Sequence, residues 1–224
     1  EHAVTDLFTR ENLCNYTTAN IDTIIYAAVS RVYAEPATAI LLQKRLGIDS
    51  AISFDVSNAC LSFVDGLILA DSLISSGKSE VVLVVTAEKI SQIAEMSMDA
   101  IIKGKAGSEC LAALTLGDGA AAALVVSSEN SSTGGISLKA FTRASKAQYA
   151  DYCTLESIYH PMKTDSFAMF NGALEHYPGM FKSLINTINW DVEDICAIVP
   201  HQASLKIINA GISLIGMTIQ KCVI

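Results

Sequence analysis

The sequence predicts an α/β protein whose strands pair largely in parallel and whose sheet is covered by helices on both faces. Three observations carry this. The runs IDTIIYAAV (21–29) and EVVLVVTAE (80–88) are apolar almost throughout, where a strand with one wet face would alternate. Helical patterns separate the strands, and parallel neighbours need such crossovers. Hydrophobic residues make up 51% of the 224 positions, enough to bury one large core or two small ones and to exclude a disordered chain.

The chain opens in a helical pattern and reaches the first strand at 21–29. Pro36 then starts PATAILLQKRLG, a helix that Gly47 stops. A short apolar strand at 52–56 runs into Asn58-Ala59-Cys60, and LSFVDGLILADSLISSG gives about four helical turns closed by Gly77. After the strand at 80–88, GDGAAAALVVSSE reads as a turn leading into a small-residue strand, and ENSSTGG as a surface loop. Residues 141–167 are mixed in character and suit a loop-rich segment over a cleft. Pro178 restarts or kinks a helix reaching about Asn189, ICAIV (195–199) is a strand, and PHQASLKIINAGISLIG (200–216) is a helix. No repeat or Pro/Gly/Ser-rich linker divides the chain.

Composition excludes several classes. The net charge of −8 and the lack of Lys/Arg runs oppose nucleic-acid binding, leaving a small molecule or a protein as partner. The six cysteines (Cys14, Cys60, Cys110, Cys153, Cys196 and Cys222) form no Cys-x-x-Cys pair, so neither a disulfide framework nor a metal site is expected. A reducing cytoplasm fits this usage. No apolar run is long enough to cross a bilayer, and the charged first ten residues do not resemble an export signal.

Two positions invite chemistry: Cys60 and His201 each stand where a strand is expected to end and a helix to begin, the place where open α/β sheets bind ligands. The positive end of a helix macrodipole would favour a Cys60 thiolate. Taken alone, a cysteine between Ala59 and Leu61 is more often a small buried hydrophobe, and a lone histidine a satisfied helix-start residue. Gly117-Asp118-Gly119 lacks the lysine and following helix of a phosphate loop and reads as a turn. For Asp55 and Asp65, flanking the cysteine, solvation or helix capping is the expected role. His2, His160 and His176 lie in no motif.

Four segments change those odds. FDVSNACLSFVDGL, LGDGAAAALV, FAMFNGALEHYPGMF and IVPHQASLKII occur in this order, with PATAILLQKRLG and VVLVVTAEKIS in place between and before them. Together they resemble the 3-oxoacyl-(acyl-carrier-protein) synthase III branch of the thiolase superfamily. The Pro-His-Gln-Ala form of residues 200–203 is less similar to the biosynthetic and degradative thiolases. The resemblance implies a thiolase-like layered αβαβα fold with mixed five-stranded sheets, incomplete in this chain. It divides the chain into a nucleophile half (1–130) lacking its first strand and helix and a histidine half (131–224) lacking its end, where the family carries a Gly-Asn-Thr-type asparagine. Neither Asn171 nor Asn209 matches that motif.

The same resemblance implies function. Cys60 would take the acyl group of an acyl-CoA, with its backbone N–H in the oxyanion hole, and His201 would assist decarboxylation of a malonyl carrier-protein thioester. No cofactor or metal is implied. The partners would be acyl-CoA, an acyl carrier protein docked on a local patch such as Lys103, Lys105 or Lys182, and a second copy in a homodimer extending its sheet through residues 80–87. Phe63, Val64 and Leu67 would set the acyl pocket's depth if they pack inward. Two alternatives stay open: a non-condensing acyltransferase with the same Cys–His pair, and a fragment serving only as a dimerisation module.

Overall fold

The computed structural model describes residues 1–10, 15–31, 33–129, 135–202 and 204–223. Cys14, Ala203 and most of the expected ENSSTGG loop lie outside them. By packing, the chain resolves into two compact units, Glu1–Gln92 with Leu116–Leu138, and Ile93–Thr115 with Lys139–Ile224. The division at 130/131 concerns likeness to thiolase halves, which packing does not address.

In the first unit, β1 (Thr23–Ala27) pairs in parallel with β2 (Ile52–Val56) and β3 (Val81–Glu88), and β4 (Gly119–Val126) closes the order β2-β1-β3-β4 antiparallel to β3. The unbroken apolar runs are explained by the two faces. Ile24, Tyr26, Leu83 and Val85 turn toward α1 (His2–Phe8) and α2 (Thr38–Leu46), where they meet Val4, Ala39 and Leu42. Ile25, Ala27, Val82 and Val84 turn to the opposite face and meet Ala70, Phe63 and Leu67 of α3 (Ser62–Ser75). Successive side chains alternate across a strand, so only residues apolar at every position can serve two covered faces.

Caps follow the sequence. Gly47 ends α2 at φ 67° and Gly77 follows α3 at φ 68°, in the left-handed region that glycine enters without a Cβ penalty. The N-terminus of α2 has no side-chain cap at Ala37. Asp55 of β2 supplies one from a distance, accepting from the N–H groups of Thr38 and Ala39, both at 2.8 Å. Gly66 lets α3 lie close on the sheet: a Cβ there would stand 2.9 Å from Val84 Cγ1 and 3.2 Å from Ala27 Cβ.

The second unit is mostly helical. It holds most of α4 (Ser91–Ile102), a two-stranded ladder of β5 (Cys153–Thr154) with β6 (Lys163–Thr164), α5 (Ser166–Thr187) and α6 (Leu205–Leu214). Ile208, Ile212, Ile215 and Met217 form its apolar cluster, with Tyr177 and Phe181 of α5 against it.

Three expectations are corrected. The helix containing Pro178 begins at Ser166 rather than near the proline and runs through it; Asp165 caps it by accepting from Ala168 N at 2.9 Å. Residues 195–199 form no strand: Ile198 makes one isolated parallel bridge with Cys222, the only pairing this stretch has among the described residues. The described sheets have four strands and two, as the mixed α/β layering of an incomplete chain leads one to expect. Residues 80–87 are no sheet edge, because β1 and β4 flank β3 on both sides and Val81–Val85 are buried; the edges are β2 and β4.

Candidate active site

Parallel pairing brings the carboxyl ends of β1, β2 and β3 to one edge of the first unit, and antiparallel β4 starts from that edge, with Gly119 opposite Glu88. This is where ligands gather on open α/β sheets. Cys60 lies there, exposed, between the end of β2 at Val56 and the first residue of α3, Ser62.

The turn carrying the thiol is unusual. Ala59 has φ 46°, a conformation costly for a residue with a side chain, and its neighbours hold it. Leu61 N and Ser62 N donate to the carbonyls of Asn58 and Ala59 at 3.0 and 3.2 Å. The Ser62 hydroxyl, on a residue only 3% exposed, donates to Ala59 O at 2.7 Å and accepts from Asn58 N at 2.9 Å. Asn58 Nδ2 donates to Asp65 Oδ2 at 2.6 Å, one turn into the helix. Capping, one of the two roles expected of the flanking aspartates, is thus the role of Asp55, while Asp65 braces the turn.

A second carboxylate closes the edge. Glu88 accepts from Val29 N at 2.7 Å, Ser30 N at 2.9 Å and Ser30 Oγ at 2.6 Å, fixing the loop after β1. Beneath it, Tyr26 donates to Ala87 O at 2.6 Å. Burial, with the nearby charges of Glu88 and Asp55, pushes the Tyr26 phenol up to about 12. Asp118 of the Gly-Asp-Gly turn accepts from Ser91 N at 2.7 Å and Ser91 Oγ at 2.9 Å, which holds its carboxyl below the usual range. The turn is therefore a structural brace for the start of α4.

The Cys60 thiol is not lowered as a helix start would lead one to expect. Partial dehydration by the surrounding protein raises it; its own backbone N–H opposes this, and the Glu88 carboxylate adds to the rise. The site thus presents an accessible thiol that gives up its proton less readily than a free one, so a proton acceptor or a departing thiolate aids it as a nucleophile.

His201, in the second unit, stands exposed in a loop three residues before Ser204, the cap of α6, rather than at the helix start. Its neighbour Gln202 pins that loop, donating from Nε2 to Pro200 O and Val223 O, both at 3.1 Å. Ile198 N donates to Lys221 O at 2.8 Å and Val223 N to Ile198 O at 2.9 Å. Ser204 accepts from Ile207 N at 3.2 Å. Of the residues expected to set an acyl pocket, Phe63 and Leu67 pack under the sheet, whereas Val64 is 48% exposed. Cys110 is buried. Ser62 and Glu88 belong to no motif that marks them in the sequence. The only signals were a hydroxyl two residues past the cysteine and an acid ending an apolar strand.

Among the described residues no group of His, Cys, Asp and Glu is arranged to hold a metal ion, and no helix is long and apolar enough to cross a membrane. Residues 54–143 match the family described as 3-oxoacyl-(acyl-carrier-protein) synthase III. The beta-ketoacyl-(acyl-carrier-protein) synthase III of Pasteurella multocida is 31% identical over 211 residues, covering 91% of this chain and 62% of the relative. That of Aquifex aeolicus is 31% identical over 198 residues, covering 88% and 58%. Crystal structures of OleA from Xanthomonas campestris superpose over the whole chain. The cerulenin-bound form has TM-score 0.86 and 26% identity and covers 64% of that protein. A cysteine-to-serine variant of OleA, with bound lauric acid and lauroyl-CoA, also has TM-score 0.86 at 26% identity, covering 99% of this chain and 66% of that one. The chain thus spans about three fifths of the length of these relatives.

Proposed function

We propose that the chain, which is similar over most of its length to the 3-oxoacyl-(acyl-carrier-protein) synthase III branch of the thiolase superfamily, is a condensing acyltransferase with Cys60 as its acyl acceptor. The observation that carries the reading is the exposed Cys60 thiol on a braced, positive-φ turn at the carboxyl edge of the parallel strands.

In this reading the Cys60 sulfur adds to the thioester carbonyl of an acyl-CoA. The tetrahedral intermediate collapses, the C–S bond to coenzyme A breaks, and the thiol proton leaves with the departing thiolate. An S-acyl cysteine remains. A malonyl thioester on a carrier protein then loses carbon dioxide. The carbanion so formed attacks the acyl carbonyl and expels the Cys60 thiolate, giving a 3-oxoacyl thioester. His201 donates a hydrogen bond to the malonyl thioester carbonyl as its oxygen gains charge. The backbone N–H of Cys60 serves the first intermediate in the same way. The lauroyl-CoA held by the OleA variant supports an acyl-CoA as donor.

Acyl-CoA, an acyl carrier protein and a second copy of the chain are the partners of this reading, and cytoplasmic fatty-acid or related biosynthesis its setting. Lys103, Lys105 and Lys182 are candidates for carrier docking; Lys103 is already paired with Asp99 at 2.7 Å. The test is to supply acyl-CoA and malonyl carrier protein and analyse products by mass. A 3-oxoacyl thioester with release of carbon dioxide supports condensation. An ester or amide, without decarboxylation, would replace it by simple acyl transfer.

A further inference from the structure

We propose that Ser62 is a positioning residue for Cys60, its buried hydroxyl locking the strained Ala59 turn that presents the thiol. The inference deepens the proposed function and rests on it for its catalytic meaning, but its geometry stands in the first unit alone.

Cys60 is one residue past a backbone kink that a non-glycine residue does not hold by its own preference: Ala59 sits at φ 46°. Something outside Ala59 must stabilise it. The Ser62 hydroxyl spans the kink from the helix side, donating to Ala59 O at 2.7 Å while accepting from Asn58 N at 2.9 Å. A single buried oxygen therefore ties the Ser57–Asn58 and Ala59–Cys60 peptides, on either side of the kink, to the first residue of α3. A serine at the first helical position has no need of this geometry to cap; α3 has no side-chain cap hydrogen bond at Leu61. Asn58 adds a second tie, from Nδ2 to Asp65 Oδ2 at 2.6 Å.

What is being held matters chemically. The backbone N–H of Cys60 interacts with its own sulfur and opposes the dehydration that raises the thiol, while Glu88 at the end of β3 works in the other direction. Asp65, on α3, is the other carboxylate tied to the turn. If the Ala59 turn relaxes, the sulfur loses its fixed relation to that N–H. An acyl thioester then meets a nucleophile displaced by a fraction of an ångström. A misplacement of about 1 Å costs about a hundredfold, and a smaller one correspondingly less.

The test uses Ser62→Ala, Asn58→Ala and Ser62→Thr in the whole chain. Cys60 is alkylated with iodoacetamide from pH 6 to 10, the site being read by peptide mass, and thermal unfolding is measured alongside. Alkylation needs no acyl-CoA, so a failure of the acyl-transfer reading leaves this result intact and is recognised by a separate incubation with acyl-CoA. The expected result is a pH profile of Cys60 alkylation moved to higher pH by Ser62→Ala and, less, by Asn58→Ala. Ser62→Thr, which keeps the hydroxyl, moves it back. Asn58 is exposed, so its variant reports on the clamp even if Ser62→Ala fails to fold. Folded variants with the wild-type profile, changed only in melting temperature, would overturn the proposal. So would a Ser62→Thr profile no closer to wild type than that of Ser62→Ala.

Discussion

Replacing Gly66 by alanine tests how closely α3, the helix that begins beside Cys60, is seated on the sheet. The new Cβ would stand 2.9 Å from Val84 Cγ1 and 3.2 Å from Ala27 Cβ, where ordinary contact begins at 3.4 Å, so helix and sheet must part by several tenths of an ångström. Ala27 and Val84 are both 0% exposed and cannot turn aside. Overpacking against two fully buried neighbours falls in the upper part of the usual range, about 2–3 kcal/mol, and the helix preference of alanine over glycine returns about 1 kcal/mol. The net is a loss of about 1–2 kcal/mol, a melting temperature lower by about 3–6 °C for a chain of this size. Thermal and urea unfolding followed by circular dichroism measure it. A Gly66→Ala variant as stable as wild type, or more so, would refute the close packing from which the placement of α3 was argued.

Further outcomes follow from named contacts. Tyr26 keeps its proton to about 12 in the folded state against 10.0 for the ordinary phenol; between those values the unfolded chain holds fewer protons, so stability falls as pH rises through that window. Tyr26→Phe flattens the slope in pH-dependent urea melts. Asp55→Ala removes the acceptor of Thr38 N and Ala39 N and costs about 1–3 kcal/mol, read as a shift of the urea midpoint with an unchanged m-value. Glu88→Gln removes a charge that raises the Cys60 thiol, so alkylation of Cys60 gains ground at lower pH; a profile moved to higher pH would contradict the placement of that carboxylate.

The first unit was legible because its strands satisfy two constraints at once. Residues 23–27 and 81–85 must be apolar on both faces, and few alternatives to a doubly covered strand have that pattern. Gly47 and Gly77 marked helix ends because the left-handed turn they make suits little else. Cys60 was marked by its place between a strand end and a helix start, and the order of motifs separated it from a small buried thiol. Less was legible where partners decide. ICAIV has the composition of a strand, yet a strand is made by its neighbours, and among the described residues Ile198 has only a bridge to Cys222. Pro178 left a restart or a kink open in the sequence; Tyr177 and Phe181 pack on either side of it against the α6 cluster and the helix continues. The thiol's direction was misjudged because dehydration, a tertiary quantity, outweighs the local N–H. Ser62 and Glu88 act through bonds that close only when the turn and the sheet edge exist.

In the proposed reaction everything turns on Cys60 accepting the acyl group. Intact mass spectrometry of the protein after incubation with lauroyl-CoA, with peptide mapping, measures this. One added lauroyl group is expected, on Cys60, discharged by hydroxylamine and absent from Cys60→Ala. An unmodified protein, or an adduct that persists in Cys60→Ala, would contradict it.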